Sequence, residues 1–575
     1  MRKILSLMTC AVILLSCSVK EGRHTLVILE TSDVHGAWFS TDYNGNPRSS
    51  LMSLNTYVDS VRAEHGRRNV LLLDAGDCLQ GDNATFYYNY VDTVADHLYP
   101  RLAEYMHYDA VAVGNHDIET GHGIYDRIAA VLGAKGIPML AANAVQEDGS
   151  CYFQPYTIVR RAGLKVAVIG FTNANIKAWL SERYWSGMDF QSLTDVAQSW
   201  VDQVRREQKP QVVIVLTHSG TGTGDGSILE AQGLDMLKTL RGVDFLVTSH
   251  DHRARIEKTD SICMLNSGSH ARSLAEGVIE LDIRHGQVVS RKLDAKLIQV
   301  DPLIVDERMR AKFEPEYRAV YDFSHREVGE LPVALRTRDG YTGMCPYLDL
   351  LHSVSLDCPE AQVSLAAPLK YDSVIPAGPV EYNDLFTIYP YENQLYVVRL
   401  KGSELLSLME LSYDRWINTY SGAPESHLLK IVPGADKRNG GSVSWHFANP
   451  SFNFDSAGGL CYTVDVTRPY GSRVSVQSMS DGSDFSVDSE YNVAMTSYRA
   501  SGLESLIKGW GNTPDDELEG RIVARYPSIR KMVYYYISEG KPIRKTGLGE
   551  WKFVPESLAR PALEKDMALL FGESH

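Results

Sequence analysis

Long hydrophobic runs are scarce in this chain of 575 residues. The apolar stretch Ile4 to Leu15 is shorter than the roughly 20 residues a membrane-spanning helix needs, and no later run approaches that length. Cysteine is sparse, with 8 in all. Those beyond residue 17 are Cys78, Cys151, Cys263, Cys345, Cys358 and Cys461, scattered and without a C-x-x-C pair. That excludes a zinc knuckle or a disulfide scaffold and leaves room for at most an isolated bridge. Excess positive charge is missing as well: the formal net charge is -15. No basic groove is on offer, so a nucleic-acid polymer is not the expected partner. A Gly-x-x-x-x-Gly-Lys-Ser/Thr loop is absent, which argues against ATP-driven work. A Gly-x-Ser-x-Gly elbow is absent too, which removes the usual sign of a serine hydrolase.

What is present begins with a targeting segment. Met1-Arg2-Lys3 gives a basic start, the apolar run follows, and it ends in Leu14-Leu15-Ser16-Cys17. The run has the size of a signal-peptide core. The ending resembles a bacterial lipobox, so residues 1–16 read as a lipoprotein signal and Cys17 as the lipidated residue. The expectation is an exported, lipid-anchored protein of the cell envelope that touches membrane only through that anchor. The hydrophobic fraction of 44% and charged fraction of 22% suit a soluble globular body. The length exceeds a single core and predicts two domains.

From residue 24 to 300 one pattern recurs: a short apolar run, a polar cluster, then a helix-like stretch. The runs are Thr25–Leu29, Val70–Leu73, Ala110–Val113, Lys165–Ile169, Val212–Leu216 and Phe245–Val247. Such runs are what buried strands look like, and Leu51–Arg67 and Thr194–Glu207 have the spacing of covering helices. The class is α/β. After the runs stand Asp33-Val34-His35, Gly76-Asp77-Cys78-Leu79-Gln80-Gly81, Gly114-Asn115-His116-Asp117, Thr217-His218 and Ser249-His250-Asp251-His252. Taken singly, each is ordinary loop chemistry. Together they put Asp, Asn and His at the strand ends where open α/β sheets build sites. Imidazole and carboxylate suit Zn, Mn and similar divalent ions. There are more ligands than one ion can use. Two ions sharing a carboxylate would use them all, clamp a phosphoryl oxygen and generate hydroxide near neutral pH.

The order Asp-x-His, Gly-Asp-x-x-Gln-Gly, Gly-Asn-His-Asp, lone His, His-x-His resembles the calcineurin-like metallophosphoesterases. With the long second half, the chain resembles the bacterial 5'-nucleotidase and 2',3'-cyclic-nucleotide 2'-phosphodiesterase family over about residues 25–535. The resemblance implies a four-layer metallophosphoesterase sandwich followed by a second, α+β substrate-binding domain. It implies one metal on Asp33, His35, Asp77 and His252, and another on Asp77, Asn115, His218 and His250, with Asp77 bridging. His116 would stabilise charge developing on the substrate, and Glu119 would orient His116. Asp117 stands where the family more often has Glu, and Ser249 where it has Gly.

Residues 301–327 read as a charged linker helix and 328–537 as a mixed α and β substrate-binding domain. The sequence assigns no role to the tail 538–575. Two stretches, Leu385–Asn393 and Thr496–Gly502, resemble the family's base-stacking segments. By that likeness Tyr391 and Tyr498 would sandwich a nucleobase, a contact of roughly 1–3 kcal/mol per base. The other reading is two packed tyrosines among 31. Tyr498-Arg499-Ala500-Ser501-Gly502 and Phe452-Asn453-Phe454-Asp455 look like the cyclic phosphodiesterase and 3'-nucleotidase members. A Phe-x-x-x-Gly-Gly-Asp-Gly stretch is lacking. The family's Gly-Gly-Ile-Arg is replaced by Ala366-Ala367-Pro368-Leu369-Lys370. Lys370 could replace the arginine as a point charge, with Arg336 and Arg338 as other candidates.

The expected activity is two-metal hydrolysis of a nucleotide phosphate ester, with a small nucleotide as partner. The rivals are hydrolysis of a UDP-sugar or other nucleotide pyrophosphate, hydrolysis of a sulfur-linked ester, and a non-catalytic surface binding lipoprotein. Completeness of the ligand set separates the last from the rest, because a decayed site normally loses a ligand.

Overall fold

Residues 20–435, 443–503 and 515–572 are described by a computed structural model. Cys17 and the signal segment lie outside the described residues. The first half builds two six-stranded sheets. One runs in the order Gln287–Gln299, Ser273–Arg284, Gly22–Thr31, Val70–Asp74, Ala110–Ala112, Met139–Leu140. The other runs Arg255–Lys258, Cys263–Asn266, Phe245–Val247, Val212–Thr217, Leu164–Phe171, Tyr156–Arg161.

The strand residues alternate between two partners. Leu26, Ile28, Leu71 and Leu73 pack with Val166, Ile214 and Phe245 in a core between the sheets. Val27, Leu29 and Leu72 face the other way, against residues of helices Leu51–His65 and Leu98–Met106. Ile169, Val213 and Leu246 pack against Val201 and Val204 of helix Leu193–Gln208. Successive strand side chains point to opposite faces, so continuous apolar strands demand cover on both sides. The result is helices, sheet, sheet, helices: the four-layer sandwich. Each fully buried Leu, Ile or Val contributes about 1.5–3 kcal/mol.

Helix Glu307–Ser324 is capped by Asp306, whose carboxylate accepts the Arg308 and Met309 amides. Its Met309, Phe313 and Val320 belong to the first-domain core. The second domain is α+β. A five-stranded sheet is ordered Ser456–Gly458, Val363–Ala366, Glu490–Thr496, Gln394–Lys401, Ile522–Ser528. Helices Pro346–Ser355, Gly402–Trp416 and Ile529–Ser538 accompany it.

Within residues 538–572, to which the sequence assigns no role, two elements pack with the second domain. Strand Trp551–Val554 pairs in parallel with Leu460–Asp465. Ala559, Ala562 and Leu563 of helix Glu556–Phe571 are buried in the same core as Trp416 and Tyr462. Cys78, Cys151, Cys263, Cys345, Cys358 and Cys461 are all free thiols. Among the described residues no helix is long and apolar enough to cross a membrane.

The two domains meet at a small aromatic cluster. Phe86 lies 6.3 Å from Phe323, 5.8 Å from Tyr382 and 5.7 Å from Phe386. The Arg530 guanidinium sits 3.9 Å above Phe386. Asn83 donates to Asn383 at 2.9 Å, and Asn383 to Asn44 at 2.8 Å.

Candidate metal centre

Five parallel strands deliver the ligand-type residues. Gly22–Thr31, Val70–Asp74 and Ala110–Ala112 are neighbours in one sheet, and Val212–Thr217 and Phe245–Val247 in the other. Each runs out at the same edge of the sandwich. The chain then turns sharply: Asp33, His35, Asp77, His250 and His252 have φ of 46°, 48°, 60°, 68° and 58°. This left-handed backbone costs about 1–3 kcal/mol at a residue with a β-carbon and concentrates at functional sites. Glycines make the turns fit. A β-carbon at Gly114 would lie 2.1 Å from Asp77 Oδ1, and one at Gly76 2.7 Å from the Gly114 nitrogen.

The donors form two groups. Asp33, His35 and His252 each offer an atom within 4.8 Å of the others, as do Asp77, His218 and His250. Tetrahedral ligands at about 2.1 Å from an ion lie roughly 3.4 Å apart, and the observed spacings match. His35 Nε2 to His252 Nε2 is 3.1 Å, His252 Nε2 to Asp33 Oδ1 3.5 Å and His218 Nε2 to Asp77 Oδ2 3.1 Å. Asn115 Oδ1 joins the second group, 3.1 Å from His218 Nε2. Asp77 stands between the groups, its Oδ2 also 3.9 Å from His35 Nε2. The donor set therefore fits a pair of divalent cations.

The ligands are themselves held. The outer nitrogens of His35 and His218 bond the Gln80 and Ala75 carbonyls at 3.0 and 2.7 Å, which fixes both rings. Asp117, buried, accepts the amides of Asp77, Cys78, Leu79 and Gly114 at 2.8–3.0 Å. One carboxylate thus pins the second and third ligand loops together. The Asp that replaces the more usual Glu at this position is a structural tie.

Electrostatics describe a site built for cations. Burial pushes the Asp33 carboxyl up to about 8. For His218, burial pulls down, but the Asp77 carboxylate overrides it and lifts the imidazole to about 10. Burial, with the His218 charge, takes His250 down to about 3, so that ring stays neutral and free to ligate. His116 donates its backbone N–H to Asp77 Oδ1 at 2.8 Å, and its Nδ1 is 2.6 Å from Glu119 Oε2. Burial opposes its protonation, but Asp77 and Glu119 prevail and raise it to about 9. An imidazolium at the mouth of the centre can neutralise charge on a substrate oxygen.

A cavity of about 450 Å³ opens from this centre toward the second domain. Asp77, Asn115, His116, Glu119, His250 and His252 of the first domain line it, and so do Tyr391 and Tyr498 of the second. Phe452 stands edge-on to both tyrosines, 6.4 Å from Tyr391 at 81° and 6.5 Å from Tyr498 at 86°. It thus bridges the two tyrosines, and all three rings line the cavity. Buried Arg530 donates to the Tyr389, Pro390 and Tyr391 carbonyls at 2.9, 2.8 and 3.2 Å and pairs with Glu392, fixing the Tyr391 loop. Arg499 pairs with Asp455 at 2.8 Å and donates to the Phe452 carbonyl at 2.9 Å, tying the Tyr498 helix to the Phe452 loop.

Two expected residues fall elsewhere. Arg336 and Arg338 do not line the cavity: Arg336 is exposed, and Arg338 faces Asp372 at 3.8 Å. Lys370 follows Leu369, which does line it. Two wall residues were not expected in the site: Phe452, which the sequence marks only as part of a branch-like stretch, and Trp179. Trp179 stacks on the His250 ring at 5.2 Å and 25° and lines the cavity. It sits in an irregular loop, and the only signal was a large aromatic close after the fourth strand.

Comparison with known proteins adds the family. A calcineurin-like phosphoesterase model matches residues 26–254, and a 5'-nucleotidase C-terminal domain model matches residues 327–508. The trifunctional nucleotide phosphoesterase YfkN of Bacillus subtilis is 23% identical over 92% of this chain, which spans 39% of that relative. A 2',3'-cyclic-nucleotide 2'-phosphodiesterase/3'-nucleotidase of Yersinia enterocolitica is 21% identical over 81% of this chain and 77% of its own length. Among solved structures, a Staphylococcus aureus protein assigned as a 5'-nucleotidase superposes with a TM-score of 0.76 at 20% identity, covering 92% of this chain and 99% of that one. Residues 26–254 belong to the calcineurin-like phosphoesterases and residues 327–508 to the 5'-nucleotidase C-terminal domains.

Proposed function

We propose that this protein hydrolyses phosphate esters of mononucleotides, 2',3'-cyclic and 3'-nucleotides foremost, at the edge of the first domain with the nucleoside held by the second. One observation carries the reading: members of two groups of metal-type donors and the two tyrosines Tyr391 and Tyr498 share the walls of a single cavity. When bound, two divalent cations supply Lewis-acid stabilisation of phosphoryl charge and lower the pKa of water. Asp33, His35, Asp77, Asn115, His218, His250 and His252 hold them. His116 donates a charged hydrogen bond to the phosphoryl or leaving oxygen, and Glu119 fixes the His116 ring through Nδ1. Tyr391 and Tyr498 bind the base by stacking, and Phe452, edge-on to both, excludes water around it.

The cyclic and 3' preference is supported by the Tyr498–Gly502 stretch and its tie to Phe452–Asp455. The Yersinia relative's activity points the same way. The start of the sequence supports export with Cys17 as a lipid anchor. The test is product release from 5'-AMP, 3'-AMP, 2',3'-cyclic AMP and a UDP-sugar by metal-loaded protein. Faster turnover of the cyclic and 3' substrates is expected. Faster turnover of 5'-AMP would refute the preference, and no turnover of any would refute the activity.

A further inference from the structure

The two edges of the first domain differ in charge. The metal-type donors leave the strands at one edge, and the strands enter at the other. Gly22–Thr31 and Val70–Asp74 start there in one sheet, and Leu164–Phe171, Val212–Thr217 and Phe245–Val247 in the other. The turn from Tyr156–Arg161 into Leu164–Phe171 lies at the same edge. At or just before these strand starts stand Arg23, Arg67, Arg68, Arg160, Lys209 and Arg241. All six are exposed, and among the described residues none forms an ion pair with a carboxylate.

Hydrogen bonds join this edge into one surface. The Ala162 N–H donates to the Arg68 carbonyl at 2.6 Å, and the Ala162 carbonyl meets His24 Nδ1 at 2.7 Å. Under the second sheet, the Gln211 N–H donates to the Lys165 carbonyl at 2.9 Å and the Lys209 N–H to the Arg205 carbonyl at 3.1 Å. The acids of this edge are already engaged. Asp109 pairs with Arg161 and Asp244 with Arg291. Glu207 faces Arg206 at 3.8 Å and Glu64 faces His65 at 3.9 Å. Glu21 accepts the His285 and Gly286 amides at 2.8 and 2.9 Å. A chain with a formal net charge of -15 thus gathers unpaired cations on one edge.

The start of the fold sits on that edge as well. His24 Nε2 is 2.8 Å from the Lys20 carbonyl, so Lys20 and Glu21 are both held there. Cys17 precedes Lys20 by three residues, a covalent reach of at most about 11 Å. Acyl chains on Cys17 would fix one point and leave the body free to turn. Cations around that point favour a single orientation, because basic groups are drawn to an anionic leaflet.

We propose that this edge is a membrane-facing surface. Its six unpaired basic residues contact the anionic phospholipid headgroups of the leaflet that holds the Cys17 lipid, and the metal centre points away from the bilayer. The choice of a membrane as partner rests on the lipid-anchor reading. Val212–Thr217 spans six residues, which at about 3.3 Å each sets the metal edge about 20 Å from the basic edge. That exceeds the Debye length of about 8 Å at physiological salt. An anionic substrate therefore meets the site outside the negative potential of the membrane surface.

The test uses the complete mature chain from residue 17 with Cys17→Ser, which carries no lipid. Co-sedimentation is measured with vesicles of phosphatidylglycerol and phosphatidylethanolamine in equal parts, and with vesicles of phosphatidylcholine. Binding to the anionic vesicles alone is expected at low salt, with loss of binding at high salt. The triple variant Arg67→Gln, Arg68→Gln, Arg160→Gln should bind them at least about tenfold more weakly. Arg399→Gln, Lys531→Gln, Arg560→Gln makes the same charge change on the second domain and should stay within about twofold of the parent chain. Both variants should keep the parent rate of phosphoester turnover. No preference for anionic vesicles, or equal losses in the two triple variants, overturns the proposal. The anchor is checked separately by mass spectrometry of the protein from its own host. An unacylated Cys17 would sink the anchor reading, and with it the membrane as partner, whatever the vesicles show.

Discussion

Tyr498→Ala removes one wall of the slot in front of Phe452. The ring is 41% exposed without a nucleobase, and its aromatic neighbour is the edge-on Phe452 at 6.5 Å. Truncation should therefore cost little stability. Its cost falls on binding. Stacking on one aromatic face contributes roughly 1–3 kcal/mol. At about 1.4 kcal/mol per decade, KM for a nucleotide should rise about 5- to 150-fold. Turnover at saturation should change far less, because Tyr498 belongs to the second domain and His116 and the donors to the first. A small aryl phosphate reaches the metal centre without entering the slot, so its kcat/KM should stay within about twofold of wild type. The assay compares 3'-AMP with p-nitrophenyl phosphate under one metal condition. Equal losses on both substrates would refute the slot as the base site. A loss of kcat with unchanged KM would place Tyr498 in the chemistry and refute the reasoning too.

Gly114→Ala would drive a β-carbon to 2.1 Å from Asp77 Oδ1; metal affinity should fall at least about tenfold while the sandwich still folds, read by metal titration and circular dichroism. His352 gives a pH prediction away from the metals. Burial between Ser364 and Ser456 takes its pKa down to about 3. The unfolded chain therefore binds a proton that the folded chain refuses between that value and roughly pH 6.5. Stability from this group is complete above about pH 6.5 and declines on acidification by about 1.4 kcal/mol per pH unit. Urea unfolding of the second domain at pH 7 and pH 5 should show a shallower loss in His352→Gln than in wild type, by about 2 kcal/mol over that interval.

The metal centre was legible because its chemistry is written at fixed points. Continuous apolar runs mark the strands, and Asp, Asn and His directly after them can only emerge at one sheet edge. The glycines at 76, 81 and 114 mark where the turns come close, and all three prove to be sites a β-carbon would fill. The substrate side was less legible because its walls sit on loops with no period. Trp179 and Phe452 are placed by long-range contacts within their own domains, Trp179 on His250 and Phe452 against Tyr391 and Tyr498, which no local pattern encodes. Arg336 and Arg338 had the right charge for a phosphate, but the turn that carries them points to Asp372 and solvent. The strand Trp551–Val554 was missed because its partner lies about ninety residues earlier, and parallel pairing at that separation leaves no local mark.

Two cations sharing Asp77 is the central claim, and metal stoichiometry tests it most directly. Metal-stripped protein would be titrated with Zn or Mn, with wild type and Asp77→Asn compared by calorimetry, elemental analysis and phosphoester turnover. Wild type should take two ions per chain. Asp77→Asn should hold at most one tightly and lose activity, because the charge between the two cations is gone. A single ion at saturation in wild type, or two tight ions with near-wild-type rates in Asp77→Asn, would contradict the account.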